Sequence, residues 1–147
     1  MSVYFFSHSI RFTLKKKNVY KKTILSVIKK EKKKAGSVNF IFCNDEFLFR
    51  VNKKYLKHNT LTDIITFDYT SSASARYNKK NNDEMLADIF ISIPRVKENS
   101  KKFKVKFETE LTRVMIHGIL HLCGYKDKIQ KEKKKMRKRE DYYMAFF

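Results

Sequence analysis

"MLADIFISI", residues 85–93, carries one charge, Asp88, in an otherwise apolar run rich in isoleucine. Such near-continuous apolarity suits a buried central strand. Pro94 follows at once and can open a helix at its first position, running through "PRVKENSKKF" (94–103). Upstream, "TDIITFDY" (62–69) is β-branched and apolar, a second strand of the same middle region. The polar, turn-rich "TSSASARYNKKNNDE" (70–84) between them is expected to be a mobile loop.

Further out the pattern continues. "VYFFSHSIRFTL" (3–14) reads as a first strand and "SVNFIFC" (37–43) as a short apolar one. "KNVYKKTILSVIKKEKKK" (17–34) sets Val19, Ile24, Leu25, Val27 and Ile28 near helical spacing, with Gly36 expected to end that helix. "NDEFLFRVNKKYLK" (44–57) opens with an Asn N-cap candidate and an acidic first turn. "FETELTRVMIHGILHL" (107–122) is the clearest helix, striped by Leu111, Val114, Met115, Ile119 and Leu122. A turn at Gly124 leads to the lysine-loaded helix "KIQKEKKKMRKREDYYMAFF" (128–147), with Met136 pointing inward. Strands and helices interleave without a strict βαβ rhythm, so the expected fold is α+β, a small mixed sheet packed with helices.

At 147 residues, the chain is expected to form one domain (1–147) with a real core. A hydrophobic share of 42%, with thirteen Phe and eight Tyr, argues against wholesale disorder. No stretch approaches the ~20 apolar residues of a membrane helix, and the N-terminus has its charges on the wrong side for a signal peptide. Cys43 and Cys123 form no framework. A reduced, cytoplasmic location is therefore expected. The formal charge of +19 favours polyanionic partners, nucleic acid ahead of membrane. A competing explanation for part of that excess is codon bias, since Lys, Asn, Ile and Phe are all abundant, as expected of an A+T-rich genome.

The chemistry concentrates in "HGILHLCGYKD" (117–127). Residues four apart share a helix face, so His117 and His121 can aim their rings at one point. Gly124 can turn the chain back over the helix end and bring Asp127 as a third ligand. Two imidazoles and a carboxylate suit one Zn²⁺ with an open position, and other divalent first-row metals also fit. A lone H-x-x-x-H is often just two surface histidines. Here the spacing, the glycine and the metal-competent residue occur together, in a chain with four histidines. Gly118 stands where the zinc peptidases place a glutamate base, which counts against peptide hydrolysis.

These residues resemble the YbeY family of metal-dependent endoribonucleases, whose motif runs H-G-x-L-H-L-x-G-Y-D-H. "TDIITFDY" resembles the family's T-D-V-L-S-F-P segment, and "ADIFIS" (87–92) its G-D-I-x-I-S. The resemblance spans about residues 45 to 128. It implies a four-stranded α+β fold and single-strand-specific, metal-dependent endoribonuclease activity in 16S rRNA maturation and ribosome quality control. It also implies ribosomal RNA and the small ribosomal subunit as partners, with no small-molecule cofactor. Two positions depart from the pattern. Asp127 takes the place of the third metal histidine, which makes a bound metal a slightly weaker Lewis acid. Leu56 takes the place of a family arginine; if that arginine holds phosphate, Lys54, Lys57 or His58 must substitute or activity is reduced, and a lysine would offer a point charge without bidentate geometry.

Asp63, Asp68 and Asp88 are candidate supporting or base carboxylates, but structural roles are the stronger reading, turn capping for Asp63 and strand-edge backbone pairing for Asp88, and none is assigned as catalytic. Ser92 is better read as a cap for the following helix than as a nucleophile. The rival to the enzyme is a non-catalytic rRNA-binding or ribosome-assembly factor with a structural metal.

Overall fold

The computed structural model describes residues 3–56, 62–70 and 84–147. The described elements run β1 (Val3–Ser7), α1 (Lys17–Lys30), β2 (Lys34–Cys43), α2 (Asp45–Leu56), β3 (Ile64–Asp68), β4 (Glu84–Ser92), α3 (Ile93–Lys102), α4 (Phe107–Leu122) and α5 (Gln130–Met144). The four strands form one mixed sheet in the order β1-β2-β4-β3, with β1, β2 and β4 parallel and β3 antiparallel to β4. The expected α+β class with a small mixed sheet is what the chain adopts.

The apolar run at 85–93 is interior, flanked by β2 and β3. Its two faces are not equal. Met85, Ile89 and Ile91 join Val38, Phe40 and Phe42 in the main core, together with Ile24, Val27 and Ile28 of α1 and Leu111, Met115 and Ile119 of α4. On the other face Phe90 and Phe67 pack on a smaller cluster built from Cys43, Leu48, Val51 and Ile65, under α2. The helices that carry chemistry therefore lie on the better-buried face.

Local signals explain most boundaries. The Asn44 side chain accepts from the Phe47 N–H at 2.8 Å, capping α2. The Ser92 hydroxyl accepts from the Arg95 N–H at 3.3 Å and donates to Asp45 at 2.6 Å, with Pro94 in the first turn of α3.

Three expectations need correction. Gly36 does not end α1 but lies inside β2, at an irregularity in the pairing with β4. A Cβ there would stand 3.0 Å from the Met85 carbonyl oxygen, so the glycine serves close strand approach. Lys32, at φ 61, makes the left-handed turn after α1 instead, and Lys33 N–H closes it on the Ile28 carbonyl. The first strand ends at Ser7, short of residue 14, because Ser9 takes a positive φ and breaks the extended run. Val19 is 58% exposed and outside the α1 stripe, which buries Thr23, Ile24, Val27 and Ile28. Most of the span 70–84 read as a mobile loop (71–83) lies outside the described residues. No helix among the described residues is long and apolar enough to cross a membrane.

Candidate metal centre

Helix α4 spans residues 107–122, as its stripe predicts, and buries Leu111, Val114, Met115, Ile116, Ile119 and Leu120. His117 and His121 stand at the edge of that stripe, about half-buried. Gly118, between them, faces the sheet: a Cβ there would lie 2.9 Å from Ile64 Cδ1 and 3.4 Å from Ile89 Cγ2. The position after the first histidine thus points into packing, so a peptidase-type glutamate has no room to reach the histidines.

The end of α4 is closed by two bonds of a Schellman motif. Tyr125 N–H donates to the Leu120 carbonyl at 3.0 Å, and Gly124 N–H to that of His121 at 3.0 Å. Gly124 sits at φ 103, a conformation open to glycine and strained for other residues. This turn returns Asp127 over the helix end. Its Oδ2 lies 3.2 Å from His117 Nε2 and 3.2 Å from His121 Nε2, and the two Nε2 atoms are 3.0 Å apart.

This donor set fits a divalent ion. Donors bound tetrahedrally at ~2.05 Å stand about 3.3 Å from one another, close to the separations here. Two imidazole nitrogens and a carboxylate oxygen turned to one point are hard to account for by mutual hydrogen bonding alone, since only protonated nitrogens can donate. His117, His121 and Asp127 together could hold a metal.

Sequence reading missed Glu140. It projects from α5, is 4% exposed, and its Oε2 lies 2.6 Å from His117 Nδ1. Its other oxygen accepts from Arg113 Nη1 at 3.1 Å, while Arg113 Nη2 donates to Asp141 at 2.9 Å. A carboxylate on Nδ1 leaves the Nε2 lone pair facing the donor cluster, the arrangement that orients ligating histidines. Burial pulls the His117 pKa down, but the Glu140 hydrogen bond and the charges of Glu140, Asp127 and Asp63 outweigh it, leaving a net rise. One signal was available: Met136, Glu140 and Tyr143 occupy one face of α5 and are its buried residues.

Two cavities open at the cluster. One, of about 370 Å³, is walled by α4, α5 and the α3 end and includes Asp63, Glu110, His117, Asp127 and Glu140. Burial pushes the Asp63 carboxyl up, partly offset by His117, and burial with the Asp63 charge raises Glu110. The second, of about 380 Å³, includes Leu56, Thr62, Asp63, His117, His121 and Asp127. Leu56 therefore does stand at the cluster, as an apolar wall. Lys54 lies on α2 with its ammonium 5.3 Å from the Tyr55 ring and lines neither cavity. Lys57 and His58 lie outside the described residues.

The other carboxylates are accounted for elsewhere. Asp68 accepts from the Thr70 N–H at 2.9 Å, and Asp88 accepts from Asn39 at 3.0 Å across the β2–β4 pair. Cys123 lines a different cavity with Glu31 and Tyr125. Burial and the Glu31 charge push its thiol up to about 12, so it stays protonated and is a poor metal ligand.

Residues 6–147 match the family described as endoribonuclease YbeY. A protein of that name from Flavobacterium psychrophilum is 46% identical over 142 residues, covering 97% of this chain and 94% of its own. The one from Karelsulcia muelleri is 47% identical, covering 95% and 92%. Among solved structures, the solution structure of TM1509 from Thermotoga maritima has a TM-score of 0.61 at 24% identity, over 97% of this chain and 87% of the other, a likeness of fold. By these matches the chain belongs to the endoribonuclease YbeY family.

Proposed function

We propose that this chain is a metal-dependent, single-strand-specific endoribonuclease of the cytoplasm, a single domain acting in 16S rRNA maturation and ribosome quality control. Its partners are ribosomal RNA and the small ribosomal subunit. His117, His121 and Asp127 are its metal ligands, with one Zn²⁺ or another divalent ion per chain. The observation that carries this reading is the convergence of the three donor atoms at 3.0–3.2 Å, with Glu140 fixed on the outer nitrogen of His117.

A divalent ion held there supplies a Lewis acid toward a phosphodiester oxygen. The chain's own residues do the rest. Glu140 holds the proton on His117 Nδ1 and fixes the ring plane. Arg113 holds Glu140 in place. Gly118 keeps the space beside His117 closed by Ile64 and Ile89, which leaves no side-chain base of the peptidase kind and supports RNA rather than peptide as substrate.

Elemental analysis of wild type and Asp127→Ala, purified without chelators, tests the site. About one metal per wild-type chain, lost or weakened in the variant, together with cleavage of single-stranded RNA by the loaded wild type, is the expected result. A wild type that binds no metal would overturn the hydrolase reading. A loaded protein that binds rRNA without cutting it would favour a non-catalytic assembly factor with a structural metal.

A further inference from the structure

Phe103 is 55% exposed, belongs to neither apolar cluster and stacks on no other aromatic ring among the described residues. Its place is set by backbone. Its N–H closes α3 on the Asn99 carbonyl at 2.9 Å, and Lys104 then takes the left-handed conformation at φ 56, turning the chain toward α4. Phe6, Phe146 and Phe147 are also exposed, yet among the described residues only Phe103 of these four lines the cavity that holds His117 and Asp127.

Further lining of this cavity comes from α5. Lys133 and Arg137, one helical turn apart, line the same cavity. Arg113 takes Glu140 and Asp141 at hydrogen-bond distance, which leaves Arg137 3.8 and 3.9 Å from those carboxylates, its side chain 62% exposed. Arg137 makes no hydrogen bond with a described side chain, and Lys133 has no ion pair among the described residues. A planar donor fork, a lysine and an exposed aromatic ring, with the Lys102 ammonium 5.9 Å from its centroid, thus share one cavity with His117 and Asp127. These are the parts from which single-stranded nucleic acid sites are built: cations for the backbone and rings for unpaired bases.

We propose that Phe103, Arg137 and Lys133 form a nucleotide subsite for single-stranded RNA. One unpaired base stacks on Phe103, a backbone phosphate sits against Arg137 and Lys133, and the strand is thereby laid across His117 and Asp127. The inference rests on the ribonuclease reading above and adds how the substrate is held. It also gives the phosphate a cationic partner on α5, which Leu56 at the end of α2 does not offer. A duplex keeps its bases stacked and cannot use the ring, so the subsite selects unpaired strands.

The test uses metal-loaded full-length protein and a labelled RNA oligonucleotide, single-stranded and as a duplex. Phe103→Ala is expected to weaken single-strand binding and raise KM by about 5- to 20-fold, with kcat and duplex binding changed less than about twofold. Lys133→Ala with Arg137→Ala is expected to lower the salt dependence of single-strand binding by about 0.7 in slope per phosphate lost. The chain has no tryptophan, so Phe103→Trp adds a sole indole, expected to be quenched on saturation with single-stranded RNA. Exposure at all three positions lets the variants fold, checked by melting. A wild type that cuts RNA, beside a Phe103→Ala of unchanged KM and an unquenched indole, would overturn the subsite and leave the ribonuclease reading intact. A loaded wild type that neither binds nor cuts RNA would overturn both.

Discussion

Glu140→Ala removes the buried carboxylate behind His117 without touching a metal-ligand atom. Two losses follow from the geometry. His117 Nδ1 loses its 2.6 Å partner, freeing the ring to rotate and to shift its proton to the nitrogen that faces Asp127. Loss of such a carboxylate typically costs 10- to 100-fold in metal affinity, or about 1.4–2.7 kcal/mol. Arg113 also loses its 3.1 Å contact but keeps Asp141 at 2.9 Å, so the charge is not left unpaired. The fold then loses about 2 kcal/mol, less than for a fully orphaned buried ion. Zinc competition against a chromophoric chelator reads the affinity, and melting with and without metal reads the linkage. At a zinc concentration 100 times the wild-type Kd, wild type gains about 2.7 kcal/mol, whereas a variant binding 100-fold more weakly gains about 0.4. That difference is about 5–9 °C of metal-induced melting shift for a chain of this size. Glu140→Gln keeps an oxygen acceptor without the charge and belongs near the tenfold end. A cooperatively folded Glu140→Ala that binds zinc within twofold of wild type would refute the reasoning.

Gly118→Ala should fold within about 1 kcal/mol of wild type, because the helix gain of alanine offsets a contact with the movable end of Ile64. Gly118→Glu should lose more than about 3 kcal/mol and show no peptidase activity; urea unfolding and a peptide assay check both. Glu31, at the end of α1, accepts from Arg139 at 2.9 Å and from the Tyr143 hydroxyl. Burial pushes its carboxyl up, but hydrogen bonds from Tyr143, Arg139 and Tyr125 and the Arg139 charge bring it below its ordinary value. A carboxyl lowered in the folded state stabilises at pH above its unfolded value and loses that contribution as pH falls through the folded one. Wild type should therefore exceed Glu31→Gln by about 1.5–3 kcal/mol at pH 7, a gap that closes toward pH 3 in urea titrations. A gap that stays constant on acidification would remove Glu31 from the account.

What could be read from the chain divides along physical lines. The α4 boundaries and the approach of Asp127 follow from local rules, a 3.6-residue apolar stripe and a glycine able to take φ 103, and both are visible within twenty-one residues. Glu140 depends on how α5 rolls onto α4, a tertiary fact masked by the surrounding lysines of "KEKKKMRKRE". Gly36 shows the reverse error. Its freedom was credited to a turn, whereas the sheet needs its missing Cβ and the turn is carried by Lys32 in a strained conformation. The Glu31 clamp belongs to the same class as Glu140, since it joins residues more than a hundred positions apart and ties α5 to the end of α1.

Charge placement ties these features to function. Four of the chain's fifteen acidic residues, Asp63, Glu110, Asp127 and Glu140, line one cavity of a protein with a formal charge of +19. The field of so many lysines attracts polyanions and repels divalent cations alike. With a screening length of about 8 Å at physiological ionic strength, carboxylates inside the cavity outweigh lysines outside it, so a cation site is possible only where acids are gathered. Asp127 brings one more negative charge to a group that could hold a metal, where that repulsion would have to be overcome. The same charge makes a bound ion less able to polarise phosphate. In the proposed subsite, Lys133 and Arg137 at the cavity wall are the cations that would neutralise the substrate phosphate.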